Sequence, residues 1–91
     1  LAVRFNVNRY RMTREFAQFV GMTPLKFLNN VRIEKARALI ESTDLSIGAV
    51  GTAVGIPNST HFINLFKGKL GMTPQVYREG YRSFREISKA Y

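Results

Sequence analysis

The sequence predicts an all-α domain in which two copies of one short helical unit are joined by a long central helix. Two observations predict it. The tetrapeptide Gly-Met-Thr-Pro occurs at residues 21–24 and again at 71–74, and Phe16 with Phe66, Phe27 with Tyr77 and Asn8 with Asn58 repeat at the same offset of 50 residues. A repeat at this period is one structural unit used twice. In addition, apolar residues recur at helical spacing along the whole chain, and no stretch alternates with period two over the length of a strand.

Each element has a start and a stop. Residues 1–5 read as the end of a helix, and Asn6, Val7 and Asn8 as a turn. Asn8 is a good N-cap, because its side chain accepts a backbone N–H from the next turn. A helix follows over residues 9–20, with Met12, Phe16, Phe19 and Val20 on one face. Gly21 closes it in the left-handed conformation that glycine reaches cheaply. Thr23 caps the central helix, and Pro24 takes its first position, where a missing N–H costs nothing. That helix runs to Ser42 or Thr43, with Leu28, Val31, Ala36, Leu39 and Ile40 as its buried stripe. Roughly 20 residues make a rod of about 30 Å.

Ser46 caps a weak helix over residues 47–54, in which Gly48 and Gly51 each cost about 1 kcal/mol relative to Ala. Residues 55–58 form a turn. Residues 59–70 repeat the first unit's basic helix, with Phe62, Leu65, Phe66 and Leu70 inward. Gly71 ends it, Thr73 and Pro74 restart the chain, and a short helix covers residues 75–79. Gly80 follows, and residues 81–91 are a mixed tail with apolar Phe84 and Ile87, for which a helix is one reading. The expected division is a first unit at 1–23, a linker helix at 24–43, a second unit at 46–80 and the tail, with the double unit ending at residue 80.

Ninety-one residues make one small domain. The net charge is +8, from 14 Lys and Arg against 6 Asp and Glu. Arg4, Arg9, Arg11 and Arg14 all precede the first acid, Glu15, and no acid lies from Leu45 to Arg78, where Lys67, Lys69 and Arg78 supply charge. The two units are basic and the connector is near balance. Two such units imply a bipartite grip on a long anionic polymer. No apolar run approaches a bilayer span. The chain has no cysteine, which excludes disulfides and thiolate metal sites and fits a reducing compartment. The lone His61 makes no metal site, the six acids are scattered, and no nucleophile is arranged around the imidazole. Neither an enzyme nor a cofactor is expected.

A short helix, a tight turn and a second helix with a polar and basic outer face form a helix-turn-helix plan. The plan occurs twice. Before the turn Ala2 aligns with Gly51 and Phe5 with Val54, one residue short of the later offset, so the second turn holds one residue more. On the first outer helix Tyr10, Thr13, Arg14 and Ala17 share a face, with Arg9 and Arg11 beside them. Arginine pairs bidentately with guanine in a major groove, and asparagine with adenine. On the second outer helix the matching face holds Ser59, Thr60, Ile63, Asn64 and Lys67.

Phe16, Gly21, Thr23-Pro24, Phe27, Arg32 and Ala36 form a pattern that continues through residues 42–47 (Ser-Thr-Asp-Leu-Ser-Ile), Val54-Gly55, Phe62, Phe66, Gly71, Thr73-Pro74 and Tyr77-Arg78. In residue type and spacing this resembles the DNA-binding domain of the AraC/XylS family of bacterial transcription regulators, over residues 1–78. The resemblance implies two helix-turn-helix subdomains joined by the long helix, each placing a recognition helix in a major groove of double-stranded DNA. It also implies a cytoplasmic, nucleoid-associated regulator, RNA polymerase as a further partner, and a ligand-binding or dimerisation domain that precedes this one in the parent protein. The expected base contacts are Tyr10, Arg11, Thr13, Arg14, Ser59, Thr60, Ile63 and Asn64. The expected phosphate contacts are Asn8, Arg9, Ser46, Asn58, His61 and Lys67.

Three departures from the family's pattern stand out. Ile56 occupies a position where Phe is usual and is followed by Pro57, Gly51 occupies one where Ala is usual, and the second recognition helix carries little charge. The first two predict a looser second unit, and the third gives most of the specificity to the first. Arg32, beside the apolar stripe of the long helix, is expected to pair with an acid such as Glu34 or Asp44. The alternative to DNA readout is a small basic interaction module whose charge serves solubility or contact with RNA polymerase.

Overall fold

The protein's structure is a computed structural model that describes residues 21–90, Ala90 by its backbone alone. Four helices follow in order: α1 (Pro24–Ser42), α2 (Ile47–Ala53), α3 (Ser59–Leu70) and α4 (Pro74–Ala90). Of the first unit expected from the sequence, residues 1–20 lie outside the described residues.

The two Gly-Met-Thr-Pro copies do what the sequence predicts. Gly21 and Gly71 have φ of 80° and 82°. Thr23 Oγ1 accepts from the Lys26 N–H, and Thr73 Oγ1 from the Val76 N–H, each at 3.2 Å. Pro24 and Pro74 then open their helices. Thr43 stops α1: its N–H and its hydroxyl both donate to the Leu39 carbonyl, at 2.9 and 2.7 Å. Ser46 Oγ caps α2 by accepting from the Ala49 N–H at 3.1 Å.

The core joins α1 to the second unit. Ile33, Ala36 and Ile40 of α1 are buried together with Val50, Val54, Ile56, Phe62 and Phe66. Full burial of one such aliphatic or aromatic side chain contributes about 1.5–3 kcal/mol. The rings of Phe62, Phe66 and Tyr77 run edge to face, with centroids 6.0 and 5.8 Å apart. Within α1 the buried stripe begins at Ile33, which the sequence reading passed over. Leu28 is 42% exposed and Val31 half-buried, so those two members of the expected stripe do not join this core.

Two further expectations are corrected. The second unit is tight, not loose. Ile56 is buried, and its N–H closes the turn on the Gly51 carbonyl at 2.8 Å. A Cβ on Gly51 would stand 2.8 Å from the Ile56 carbonyl oxygen and 3.1 Å from the Phe62 ring. Glycine is what lets α2 and α3 approach this closely. Nor does the last helix end at residue 79, since α4 continues through Gly80 to Ala90. The glycine's cost of about 1 kcal/mol is met by contacts on both sides: Tyr81 stacks on Tyr77 at 6.3 Å, and Arg82 pairs with Asp44 at 2.7 Å.

Candidate nucleic-acid interface

The helix α3 turns one face inward and offers the other to solvent. Asn58 sets its start, with Oδ1 accepting from the His61 N–H at 2.9 Å. Phe62 and Phe66 anchor it, at full burial. The opposite face presents Ser59, Thr60, His61, Asn64 and Lys67, all exposed, and Ile63, half-buried. Ser59 and Thr60 are not the caps of this helix, because Asn58 has that role. Their hydroxyls and the Asn64 amide make no hydrogen bond among the described residues. The expected second-unit residues are therefore brought together on one accessible surface. Ser46 is exposed too, at the start of α2, with its hydroxyl engaged as that helix's cap. Tyr10, Arg11, Thr13 and Arg14, with Asn8 and Arg9, lie outside the described residues.

The charge of the second unit is distributed differently from what its sequence suggests. Lys69 turns to the linker helix and lies 3.6 Å from Glu34. Arg78 is buried, and its Nη2 donates to the Thr43 carbonyl at 3.3 Å. Lys67 and Lys69 are both exposed, and of the three Lys67 alone has no ion pair or hydrogen bond among the described residues. Two of the cations counted as an outward patch thus hold the fold, leaving the α3 face polar with little charge.

Beside the core, a polar network that the sequence reading missed links α3 and α4 to α1. Arg37 donates to Glu34 at 2.7 and 3.1 Å and to Glu41 at 3.1 Å. The Tyr77 hydroxyl donates to Glu41, and Lys69 completes the chain at Glu34. The Arg37 hydrogen bond is the main cause that holds the Glu34 carboxyl below its ordinary 4.5. Burial first, then the Glu41 hydrogen bond, push the Tyr77 phenol above its ordinary value. The spacing of Glu34, Arg37 and Glu41 along one helix face was a legible signal. Their partners on α3 and α4 depend on how the helices cross, which spacing does not give.

Arg32 does not form the ion pair expected of it. Its predicted partners are taken: Glu34 by Arg37 and Lys69, and Asp44 by Arg82. Instead the guanidinium lies over Gly55, in the turn before α3, where a Cβ would stand 3.3 Å from its Cζ and Nε. Gly55 has φ of 91°. Among the described residues no cluster of His, Cys, Asp and Glu is placed to hold a metal ion, and no helix is long and apolar enough to cross a membrane.

This geometry has known relatives. A family model described as a helix-turn-helix domain matches residues 1–80. The HTH-type transcriptional activator RhaS of Escherichia fergusonii is 34% identical over 80 residues, covering 88% of this chain and 29% of that protein. The chain therefore spans less than a third of that relative's length. Among solved structures, the DNA-binding domain of the global transcriptional factor AdpA, in complex with a target DNA, superposes with a TM-score of 0.85 at 30% identity, over 93% of this chain and 77% of that one. An AraC-type transcriptional regulator from Chromobacterium violaceum superposes at 0.76 and 30% identity, over 84% of this chain and 68% of that one. With two helix-turn-helix units read from the repeat and the second of them seen here against its linker helix, the chain belongs to the AraC/XylS family of transcription regulators.

Proposed function

We propose that this domain binds double-stranded DNA in a sequence-specific manner through two recognition helices in adjacent major grooves, and that it thereby regulates bacterial transcription. The observation that carries the reading is the outer face of α3: Ser59, Thr60 and Asn64 are exposed and, among the described residues, unbonded on a helix anchored by Phe62 and Phe66. The similarity to a DNA-binding domain solved on its target DNA supports DNA as the partner. Asn64 reads adenine bidentately, and Thr60 and Ile63 meet thymine methyls. Ser59 adds a hydroxyl contact. Asn58, His61, Lys67 and Ser46 face phosphates, the two caps through what remains of their hydrogen-bonding capacity.

In the first unit Arg14 and Arg11 contact bases beside Tyr10 and Thr13, and Arg9 and Asn8 contact the backbone. The first unit supplies most of the specificity, an ordering supported by the scarcity of charge on α3. The 19 residues of α1 make a rod of about 28 Å, close to the 34 Å or so between successive major grooves on one face. RNA polymerase and a ligand-binding or dimerisation domain elsewhere in the parent protein complete the proposed regulator, in the cytoplasm.

The test is the salt dependence of duplex binding. Log affinity is expected to fall linearly with log salt, by about 0.9 per phosphate neutralised. Lys67→Ala is expected to weaken all duplexes alike and lower the slope by about one, whereas Asn64→Ala relaxes preference at one adenine. An affinity indifferent to salt would exclude DNA as the partner.

A further inference from the structure

Resting on the DNA-binding reading, we infer that Arg32 of the linker helix is a phosphate-contacting residue that clamps the backbone beside the second half-site. Three observations place it there. The residue is half-buried, yet among the described residues its guanidinium donates to no acceptor and pairs with no acid. A guanidinium has five N–H donors in a fixed fork, and withdrawing it from water without acceptors is costly. It lies over Gly55, in the turn that leads into α3, so its charge sits beside the recognition unit. And the second unit's cations Lys69 and Arg78 are engaged within the fold, Lys69 with Glu34 and Arg78 on the Thr43 carbonyl.

The position suits the geometry of a paired-groove complex. A rod that joins two adjacent major grooves passes over the backbone between them. Arg32 is the ninth residue of the 19 in α1, close to the rod's middle. A phosphate meeting it there would be bound by a charge-assisted, bidentate fork, a geometry lysine does not reproduce. Gly55 matters to this clamp, because a side chain there would push into the guanidinium plane.

The experiment compares the 91-residue chain with Arg32→Met and Arg32→Lys on two duplexes, one carrying the sequence that the wild type selects and one unrelated. Affinity is measured from low to physiological salt, and thermal unfolding is followed in parallel. Arg32→Met keeps the apolar stem and removes the charge. It is expected to weaken binding to both duplexes by about tenfold and to lower the salt slope by about one. Arg32→Lys is expected to keep the slope and lose part of the affinity. Unchanged affinity and slope in Arg32→Met would overturn the assignment. So would a lowered melting temperature with an unchanged slope, which would reduce Arg32 to packing on Gly55. A loss confined to the selected duplex would overturn it too, because a phosphate contact carries no sequence information. Failure of the DNA-binding reading itself looks different: the wild type would bind neither duplex, or bind both without salt dependence.

Discussion

The two Gly-Met-Thr-Pro copies share a backbone and differ in their surroundings. Both glycines are left-handed, both threonines cap at 3.2 Å, and in both the fourth residue after Thr returns its N–H to the Thr carbonyl at 2.9 Å. Yet Pro24 is half-buried where Pro74 is buried, and Phe27 is exposed where Tyr77 is half-buried on Phe66 with its hydroxyl on Glu41. Four residues determine the turn because every contact they need is local. The following aromatic has no fate of its own, since its environment is built by helices distant in sequence.

The comparison breaks hardest where the second copy's unit is tightest. Gly51→Ala gains about 1 kcal/mol of helix propensity but overpacks a site whose neighbours are backbone and a buried ring. A net loss of about 2 kcal/mol is expected, read as a lower urea midpoint. A neutral or stabilising outcome would mean that α2 can move away from Ile56 and Phe62 freely.

Next in size are the two capping glycines, where the comparison sharpens. Gly21→Ala and Gly71→Ala each force an L-residue to positive φ, and a Cβ at either position meets nothing within 4 Å. The cost is conformational alone, about 1 kcal/mol in each case. Equal losses in chemical denaturation are expected despite the unequal surroundings. A clearly larger loss at one copy would show that the turn is not a local property.

The smallest effect is a dependence on acid. Glu34 ties α1 to α3 through Lys69, and its carboxyl is held below 4.5 by Arg37 first of all. A folded value below the unfolded one means stability present above about pH 4.5 and lost as pH falls through the folded value. The urea midpoint should therefore drop on the acid side of that range, and Glu34→Gln should flatten part of the drop. Identical acid limbs in the two proteins would show that the pair contributes nothing, as exposed pairs often do.

The same division between local and distant causes separates what the sequence made legible from what it did not. The repeat, the caps at Thr23, Ser46 and Thr73, and the inward pair Phe62 and Phe66 were all readable, because each follows from spacing or from a backbone need. The outer face of α3 was readable for the same reason: once Phe62 and Phe66 point inward, Ser59, Thr60 and Asn64 point out. The destinations of Lys69, Arg78 and Arg32 were not. A long cation reaches several neighbours, and which one it meets depends on helix crossings. Gly51 was misread because glycine in a helix signals weakness when judged by propensity, whereas here close backbone approach requires it. The end set for the last helix at residue 79 has the same cause, since Tyr81 and Arg82 hold α4 together across Gly80.

The central claim is that two units joined by a rigid rod read one face of DNA together. Selecting bound sequences from a random duplex library with the 91-residue chain tests it most directly. The account predicts a two-part motif whose halves are centred about ten base pairs apart, with the stronger information in one half. A single uninterrupted half-site, or two halves tolerated at any spacing, would contradict it.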